Sequence, residues 1–488
     1  MSERITISPI TRLEGHGQID ILLDDDGNVA DAYLRVVELR GFERFCEGRP
    51  IEELIRIMPK ICGVCPGAHH MAAAKAADAV WGVEIPPAAR KLRELYYNAH
   101  IAHSHLLHFF ALAGPDLLLG PDTPRESRNL LGLIEAVGRE PGLAVLRNRG
   151  FAQKIQGIIA GHPIHPVAAL PGGMAHPLDE ARRDEMVPMA TSLVAFARSC
   201  LDLLEERVLG NPAMAELIDG DVYLHRTYYA GLVDPEGRVN FYDGRVRVIG
   251  PEGDELALYD PADYLDHIAE RVEPWSYLKL PYLKAIGWKG MVDGASSGVF
   301  RVNALARLNV ASGMATPGAQ AAYERFCAHF GGTPVHHTLA YHWARLIETL
   351  FAAEEIERLV HDPEITSREV RTIPDGRPGE GVGVVEAARG TLFHHYVSDA
   401  SGIARKVNLI VATAQNNAAM NMSIRRAAAA FIHDGVINDG ILDRVEMAFR
   451  AYDPCLACAT HTLPGQMPLR LRIHGPDGTA QTLERGSQ

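Results

Sequence analysis

Two Cys-x-x-Cys pairs, one near each end of a 488-residue chain, constrain the fold more than any other feature. The first is Cys62 and Cys65, followed by Pro66; the second is Cys455 and Cys458, preceded by Asp453-Pro454. Two residues between cysteines let both sulfurs of a pair reach one metal, and four thiolates close a tetrahedral site. If both pairs serve one site, the two ends of the chain must meet. Cys46, Cys200 and Cys327 bring the total to seven, an odd number that fits a disulfide framework poorly where no export signal is seen. These three read as core residues. The pairs point to metal in a reducing compartment, and spacing alone serves a closed structural zinc site as well as a redox metal. A dithiol redox pair is disfavoured, because neither pair follows a clear strand within a βαβ unit.

The context of the pairs separates the two metal readings. Thr11-Arg12-Leu13-Glu14-Gly15-His16 lies upstream of the first pair, and Glu386-Ala387-Ala388-Arg389-Gly390 upstream of the second. A closed zinc site needs neither a nearby carboxylate nor an arginine; a redox metal that handles protons needs a relay base and fixed positive charge. Singly, each residue has a plainer reading: Arg12 and Glu14 as an exposed i, i+2 pair on a strand, Asp453 as a turn cap before Pro454. Jointly, those readings lose.

The net charge of −13, from 48 basic and 61 acidic residues, argues against a nucleic-acid or anionic-membrane partner. No charge-free stretch of about 18 apolar residues is seen, so no membrane span is expected. The first residues, MSERITISPITRLEGHG, contain neither the apolar core of a signal peptide nor a twin-arginine pair, and a cytoplasmic protein is expected.

Hydrophobic patterning predicts an α+β, mainly helical chain: a central bundle of long helices with peripheral β-hairpins. HGQIDILLD and VADAYLRVVEL flank Asp25-Asp26-Gly27-Asn28 as a hairpin. A helix is predicted from Pro87 to Gly114-Pro115, with others at 142–160, 179–209 (Asp179 as N-cap), 334–361, 413–432 and 439–452. Gly-bearing turns between 230 and 260 predict surface hairpins.

With these motifs in hand, the chain resembles the large, catalytic subunit of the nickel–iron hydrogenases over nearly its whole length. TRLEGHG at 11–17, RGFE at 40–43, ICGVC at 61–65 with His69 after it, EAARG at 386–390 and DPCLACATH at 453–461 occur in that family's order. PWSYLKLPYLK at 274–284, TLFHHY at 391–396 and the HSHLLHF segment are similar to the cytoplasmic, bidirectional group, whose members are NAD(P)-reducing or linked to heterodisulfide or ferredoxin. The resemblance implies an oxidoreductase that runs H2 ⇌ 2H+ + 2e− by heterolytic cleavage. It implies that Cys62, Cys65, Cys455 and Cys458 bind nickel as thiolates, and that Cys65 and Cys458 bridge to an iron carrying carbon monoxide and cyanide, ligands suited to soft sulfur chemistry. Glu14 would carry protons away from a cysteine sulfur, Cys458 being the first one protonated. Arg389 would sit over the two metals with Asp453 as its partner, and His69 would hydrogen-bond a bridging sulfur. Glu43, the Leu409 carbonyl and His461 would hold magnesium. No cysteines remain for iron–sulfur clusters, so electrons would leave through an iron–sulfur small subunit, then flavoprotein (diaphorase) subunits, to NAD(P); ferredoxin or a heterodisulfide are the alternative acceptors.

Two departures from that pattern stand out. Ala388 replaces the proline usual before the arginine, which is expected to loosen the backbone under Arg389. Ser104 replaces an aspartate of the membrane-bound uptake enzymes, in keeping with the cytoplasmic group. His100, His103, His105 and His108 form i, i+3 pairs and miss the i, i+4 zinc pattern, so packing or interface roles are expected. After His461, 27 residues run to Gln488. The domains expected are therefore a catalytic unit at 1–461 and an extension at 462–488 that a maturation endopeptidase removes. Two rivals are a non-catalytic relative of the complex I type, which lacks the cysteine pairs, and a structural zinc protein, which would hold zinc without nickel.

Overall fold

A computed structural model describes residues 4–8 and 10–460, together with the backbone of two tail strands, Leu469–His474 and Ala480–Arg485, that pair antiparallel. His461 lies outside the described residues, as does most of the expected extension.

The chain opens with an antiparallel sheet of β1 (Arg4–Ile7), β2 (Gly17–Leu23) and β3 (Val29–Val36). β2 and β3 form the hairpin read from the sequence. Its turn is held by the Asp24 carboxylate, which accepts from the Asp26 and Asn28 amides at 3.0 and 2.8 Å. After the short helix α1 (Phe42–Cys46) come four long helices: α2 (Pro66–Trp81), α3 (Pro87–Leu107), α4 (Arg139–Ala160) and α5 (Glu180–Leu203). A second sheet follows with β4 (Tyr228–Val233), β5 (Arg245–Ile249) and β6 (Glu255–Tyr259), then α6 (Tyr341–Val360). The last part contains β7 (Glu380–Ala387), β8 (Gly390–Ser398), β9 (Ala404–Ile410), α7 (Asn417–Phe431) and α8 (Asp439–Arg450).

The core is the expected bundle. α6 packs on α3 and α5, and α4 packs on both α3 and α5. Asp179 caps α5 as expected, accepting from the Arg182 amide at 2.8 Å. The stretch Glu180–Leu209 is long and apolar enough to cross a membrane by composition, although no span was expected. In the fold its Met186, Leu193, Ala197 and Leu201 are buried in the bundle, which is what a core helix requires.

The structure departs from the sequence reading at four places. α3 does not stop at Gly114-Pro115; π-helical turns carry it on to Leu119. α6 begins at Tyr341 rather than 334. The helix expected at 413–432 breaks at Asn416, whose side chain is used instead to accept from the Val302 amide and donate to the Arg389 carbonyl. The sheet at 228–259 is not a surface hairpin. Every residue of β4 is buried, and Leu232, Val246, Val248, Phe300 and Phe393 form a second core.

α2 is not amphipathic. It is buried on nearly all sides and lies directly across β7, where a Cβ on Gly383 would come 2.1 Å from the Ala72 carbonyl and 2.3 Å from the Ala76 nitrogen. Alanines on the helix and glycine on the strand let the two backbones touch. This contact fixes α2, and hence Cys65 at its N-terminal end, against the β7–β8 hairpin that carries Arg389.

Candidate metal centre

The two ends of the chain meet. Cys62 ends a turn before α2, Cys65 immediately precedes α2, and Cys455 and Cys458 lie in the loop after α8. Their four sulfurs all lie within 4.8 Å of one another, and all four residues are buried. Cys62 Sγ is 3.2 Å from Cys455 Sγ, Cys65 Sγ is 3.0 Å from Cys458 Sγ, and Cys455 and Cys458 are 2.8 Å apart. None is in a disulfide. Among the described residues this is the one group of at least three such side chains placed to hold a metal ion.

The electrostatics set Cys62 apart from the other three sulfurs. Burial pushes the Cys455 and Cys458 thiols well above their usual range, while hydrogen bonds from Cys455 and the other sulfurs hold Cys62 well below it. With Cys65, Cys455 and Cys458 held protonated and Cys62 ionised, a soft divalent metal would displace the remaining protons, so the donor set fits thiolate-bound nickel or iron.

The N-terminal segment reaches this loop through Gly15. Its φ is +85°, and a Cβ there would sit 2.7 Å from the Ala457 nitrogen and 2.9 Å from Leu456 Cβ. Glycine therefore allows the close approach. The Glu14 carbonyl accepts from the Leu456 amide at 3.0 Å. Glu14 Oε2 accepts from the Cys455 sulfur at 3.0 Å and from the Ala457 amide at 3.1 Å. Burial raises its pKa, with the Cys62 charge adding to the effect. The sulfur on which the carboxylate sits is that of Cys455, whereas the sequence places the first proton on Cys458. The Glu14–Cys455 bridge between backbones explains the difference, because it sets the carboxylate beside the first cysteine of the loop.

Arg389 and Ala388 are the two turn residues of the β7–β8 hairpin, whose last pair is Ala387 with Gly390. Arg389 Nε donates to the Asp453 carbonyl at 2.7 Å and Nη2 to Asp453 Oδ1 at 3.0 Å. Its Nη1 is buried with no partner, as is Asp453 Oδ2. Asp453 and the cysteine charges hold the guanidinium firmly protonated against its burial. After Ala388, the Arg389 backbone and side chain are tied by Asn416 and Asp453.

His69 is tied to a second imidazole. Its Nδ1 is 3.0 Å from His394 Nε2, and His394 Nδ1 is 2.6 Å from the Tyr396 hydroxyl. Burial lowers the His69 pKa to about 4, the Cys62 charge opposing this. Glu43, on α1, accepts from the Leu409 amide at 2.9 Å, and burial raises its pKa to about 7. The histidines of α3 and the turn after it serve packing. His105 bonds Glu348 at 2.9 Å, His108 bonds the Arg450 carbonyl at 2.9 Å, and His103 bonds the Arg149 carbonyl at 3.3 Å; His100 stacks on Tyr96 and Tyr97. The Ser104 hydroxyl is buried and without a partner. Reasoning from the sequence missed Thr413, whose hydroxyl accepts from the Cys455 amide at 3.1 Å, and Asn416. Both lie in Thr413-Ala414-Gln415-Asn416-Asn417, whose polar run inside an apolar helical pattern was the available signal.

Comparison with known proteins agrees with this geometry. A family model described as HoxL-like matches residues 4–39, and one described as nickel-dependent hydrogenase matches 40–118 and 278–461. An F420-non-reducing hydrogenase iron-sulfur subunit of Archaeoglobus profundus is 47% identical over 477 residues, covering 98% of both chains. The NAD-reducing hydrogenase HoxS subunit beta of Cupriavidus necator is 39% identical, again over 98% of each. A solved NAD+-reducing nickel–iron hydrogenase in its H2-reduced state superposes with a TM-score of 0.88 at 42% identity, covering 94% of this chain and 99% of that one.

Proposed function

The chain belongs to the nickel-dependent hydrogenase family as its large, catalytic subunit, and from that premise we propose which of its residues hold the metals and move the protons. The enzyme interconverts dihydrogen with protons and electrons. The observation that carries the assignment is the convergence of Cys62, Cys65, Cys455 and Cys458 from opposite ends of the chain, with Glu14 on one sulfur and Arg389 beside the group.

In this reading the four thiolates would hold nickel, and Cys65 and Cys458 would also hold iron. The nickel–iron pair would supply the Lewis acidity that polarises dihydrogen and the redox capacity that takes its electrons. Cys455, whose sulfur already faces Glu14, passes the proton to Oε2. Burial raises the Glu14 pKa, which favours its taking up that proton. The Ala457 amide fixes that oxygen. Arg389, held rigid by Asp453, keeps a fixed positive charge at the centre, and its unpartnered Nη1 is a donor suited to carbon monoxide or cyanide on the iron. His69 tunes the sulfur environment, oriented through His394. Magnesium at Glu43, with Leu409 and His461, would ease a carboxylate that burial otherwise disfavours.

Electrons leave to an iron–sulfur small subunit, because only Cys46, Cys200 and Cys327 remain outside the centre, too few for a four-cysteine cluster. We assign NAD(P), reached through flavoprotein subunits, as the acceptor; a second reading is ferredoxin or a heterodisulfide, since the A. profundus protein, at 47% identity against 39%, is named only as not reducing F420. Seven free cysteines fit a reducing, cytoplasmic setting. Replacing Cys62 or Cys455 by serine tests the assignment. Nickel content should fall to background, since a harder oxygen donor binds this centre poorly; full nickel occupancy in either variant would refute it. NAD+ reduction under H2 by the purified complex, or its absence, decides the acceptor.

A further inference from the structure

The segments that carry Glu14 and Cys455 are joined a second time, away from the sulfurs. Two residues before Glu14, Arg12 adopts a left-handed backbone with φ +58°. Its guanidinium reaches Asp116 at 2.5 Å, Asp443 at 3.0 Å and the Leu112 carbonyl at 3.1 Å. Arg450, the last residue of α8 and five residues before Cys455, reaches the same two carboxylates. It contacts Asp116 at 2.9 Å, Asp443 at 2.6 Å and Glu446 at 2.9 Å. Arg128 adds a contact to Asp443 at 3.2 Å. Three arginines thus face three carboxylates, and the side chains of Asp116, Asp443 and Arg450 are 3%, 2% and 1% exposed.

Such a set is a poor source of stability, because desolvating six charges offsets most of their attraction. What it supplies is geometry. A guanidinium donates to carboxylates in few orientations. Arg12 donates to Asp116 and Asp443 through Nη2, and Arg450 to the same two carboxylates through Nε and Nη2, so the shared carboxylates tie the N-terminal segment to α8. We infer that Arg12, Asp116, Asp443 and Arg450 are positioning residues that hold the Glu14 carboxylate within proton-transfer distance of the Cys455 sulfur. The inference rests on the reading of Glu14 as the proton relay. Proton transfer needs heavy atoms about 2.6–3.2 Å apart, and Glu14 Oε2 stands 3.0 Å from the sulfur, so little slack is available. A displacement of about 1 Å costs on the order of 10²-fold in rate.

Removing Arg12 alone would leave buried carboxylates short of a cation and could unfold the chain. The double variant Arg12→Met/Asp116→Leu removes one charge of each sign. It leaves Arg128 and Arg450 facing Asp443 and Glu446, and cuts the tie to the Glu14 segment. In holoenzyme with its partner subunits, nickel content and melting temperature of the double variant should stay near wild type. The kcat for H2 oxidation should fall about 10²-fold at unchanged KM, and the solvent isotope effect on kcat should rise. The infrared carbonyl band of protonated Glu14, identified by its loss in Glu14→Gln, should shift as the Cys455 and Ala457 hydrogen bonds loosen. Arg12→Lys, which keeps one cation on the carboxylates, should recover part of kcat. A double variant with wild-type kcat, isotope effect and band position overturns the clamp, as does a kcat that falls only in proportion to nickel lost. Glu14→Gln measured alongside separates the two ideas. If it turns over like wild type, the relay and the clamp both fall; if it collapses while the double variant does not, only the clamp falls.

Discussion

Glu14 shows how much one side chain depends on its surroundings here. Its Oε2 takes two hydrogen bonds, from the Cys455 sulfur and the Ala457 amide, and burial raises its pKa. Glu14→Gln keeps the shape and cannot exchange a proton, so net H2 turnover should fall by at least about 10²-fold with nickel retained; a wild-type uptake rate would remove Glu14 from the path. Arg389→Lys should cost a comparable factor, since one ammonium cannot keep both the Asp453 carbonyl and carboxylate bonds made by Nε and Nη2. Uptake at the wild-type rate in that variant would mean the fork is not needed. At this scale the sequence was informative, because the four cysteines, Glu14, Arg389 and Asp453 occur in recognisable strings and the fold collects them. It did not tell Cys455 from Cys458 as the partner of Glu14. That choice is made by a backbone bridge between residues 441 positions apart, which no local pattern encodes. His394 was missed for the same reason, its partner His69 lying 325 positions away, whereas Thr413 and Asn416 were missed although their polar run was there to read.

Among the elements, legibility followed amphipathicity. The bundle helices present an apolar stripe and were read to within a turn or so, apart from the late start of α6. α2 was missed because it is buried on nearly every side, so its alanines show no 3.6-residue alternation. The β7–β8–β9 sheet was missed because β7 and β8 are almost wholly buried, which removes the period-2 signal of a half-exposed strand. α3 offers a test of how burial is coupled to charge. Glu94 on α3 has its pKa raised to about 7, first by burial and then by Asp243. The folded chain therefore prefers the protonated form. The stability cost of ionising Glu94 is absent below its unfolded-state value of about 4.3, grows as pH rises towards 7, and stays constant above it. Glu94→Gln cannot ionise. It should be more stable than wild type at pH 8 by on the order of 2–3 kcal/mol, with the advantage gone at pH 4. Equal melting temperatures at pH 8 would contradict this account of the Glu94 environment.

For the molecule as a whole, the decisive feature is that its two ends build one site. The Thr460 carbonyl accepts from the Arg40 amide at 2.9 Å, so the chain up to residue 460 is drawn in beside α1. Residues 462–488 are proposed to be removed by an endopeptidase once the metals are in. A gene stopped after codon 461 should yield stable but poorly metallated protein, and full-length chain should accumulate in nickel-starved cells. Active enzyme whose large subunit still ends at Gln488 would rule out processing. The central claim, that the four cysteines hold a nickel–iron pair, is tested most directly by metal analysis of purified, hydrogen-oxidising protein. Nickel and iron should be present in equal amounts in the large subunit, and nickel should be lost from Cys455→Ser; zinc without nickel in active protein would contradict the account.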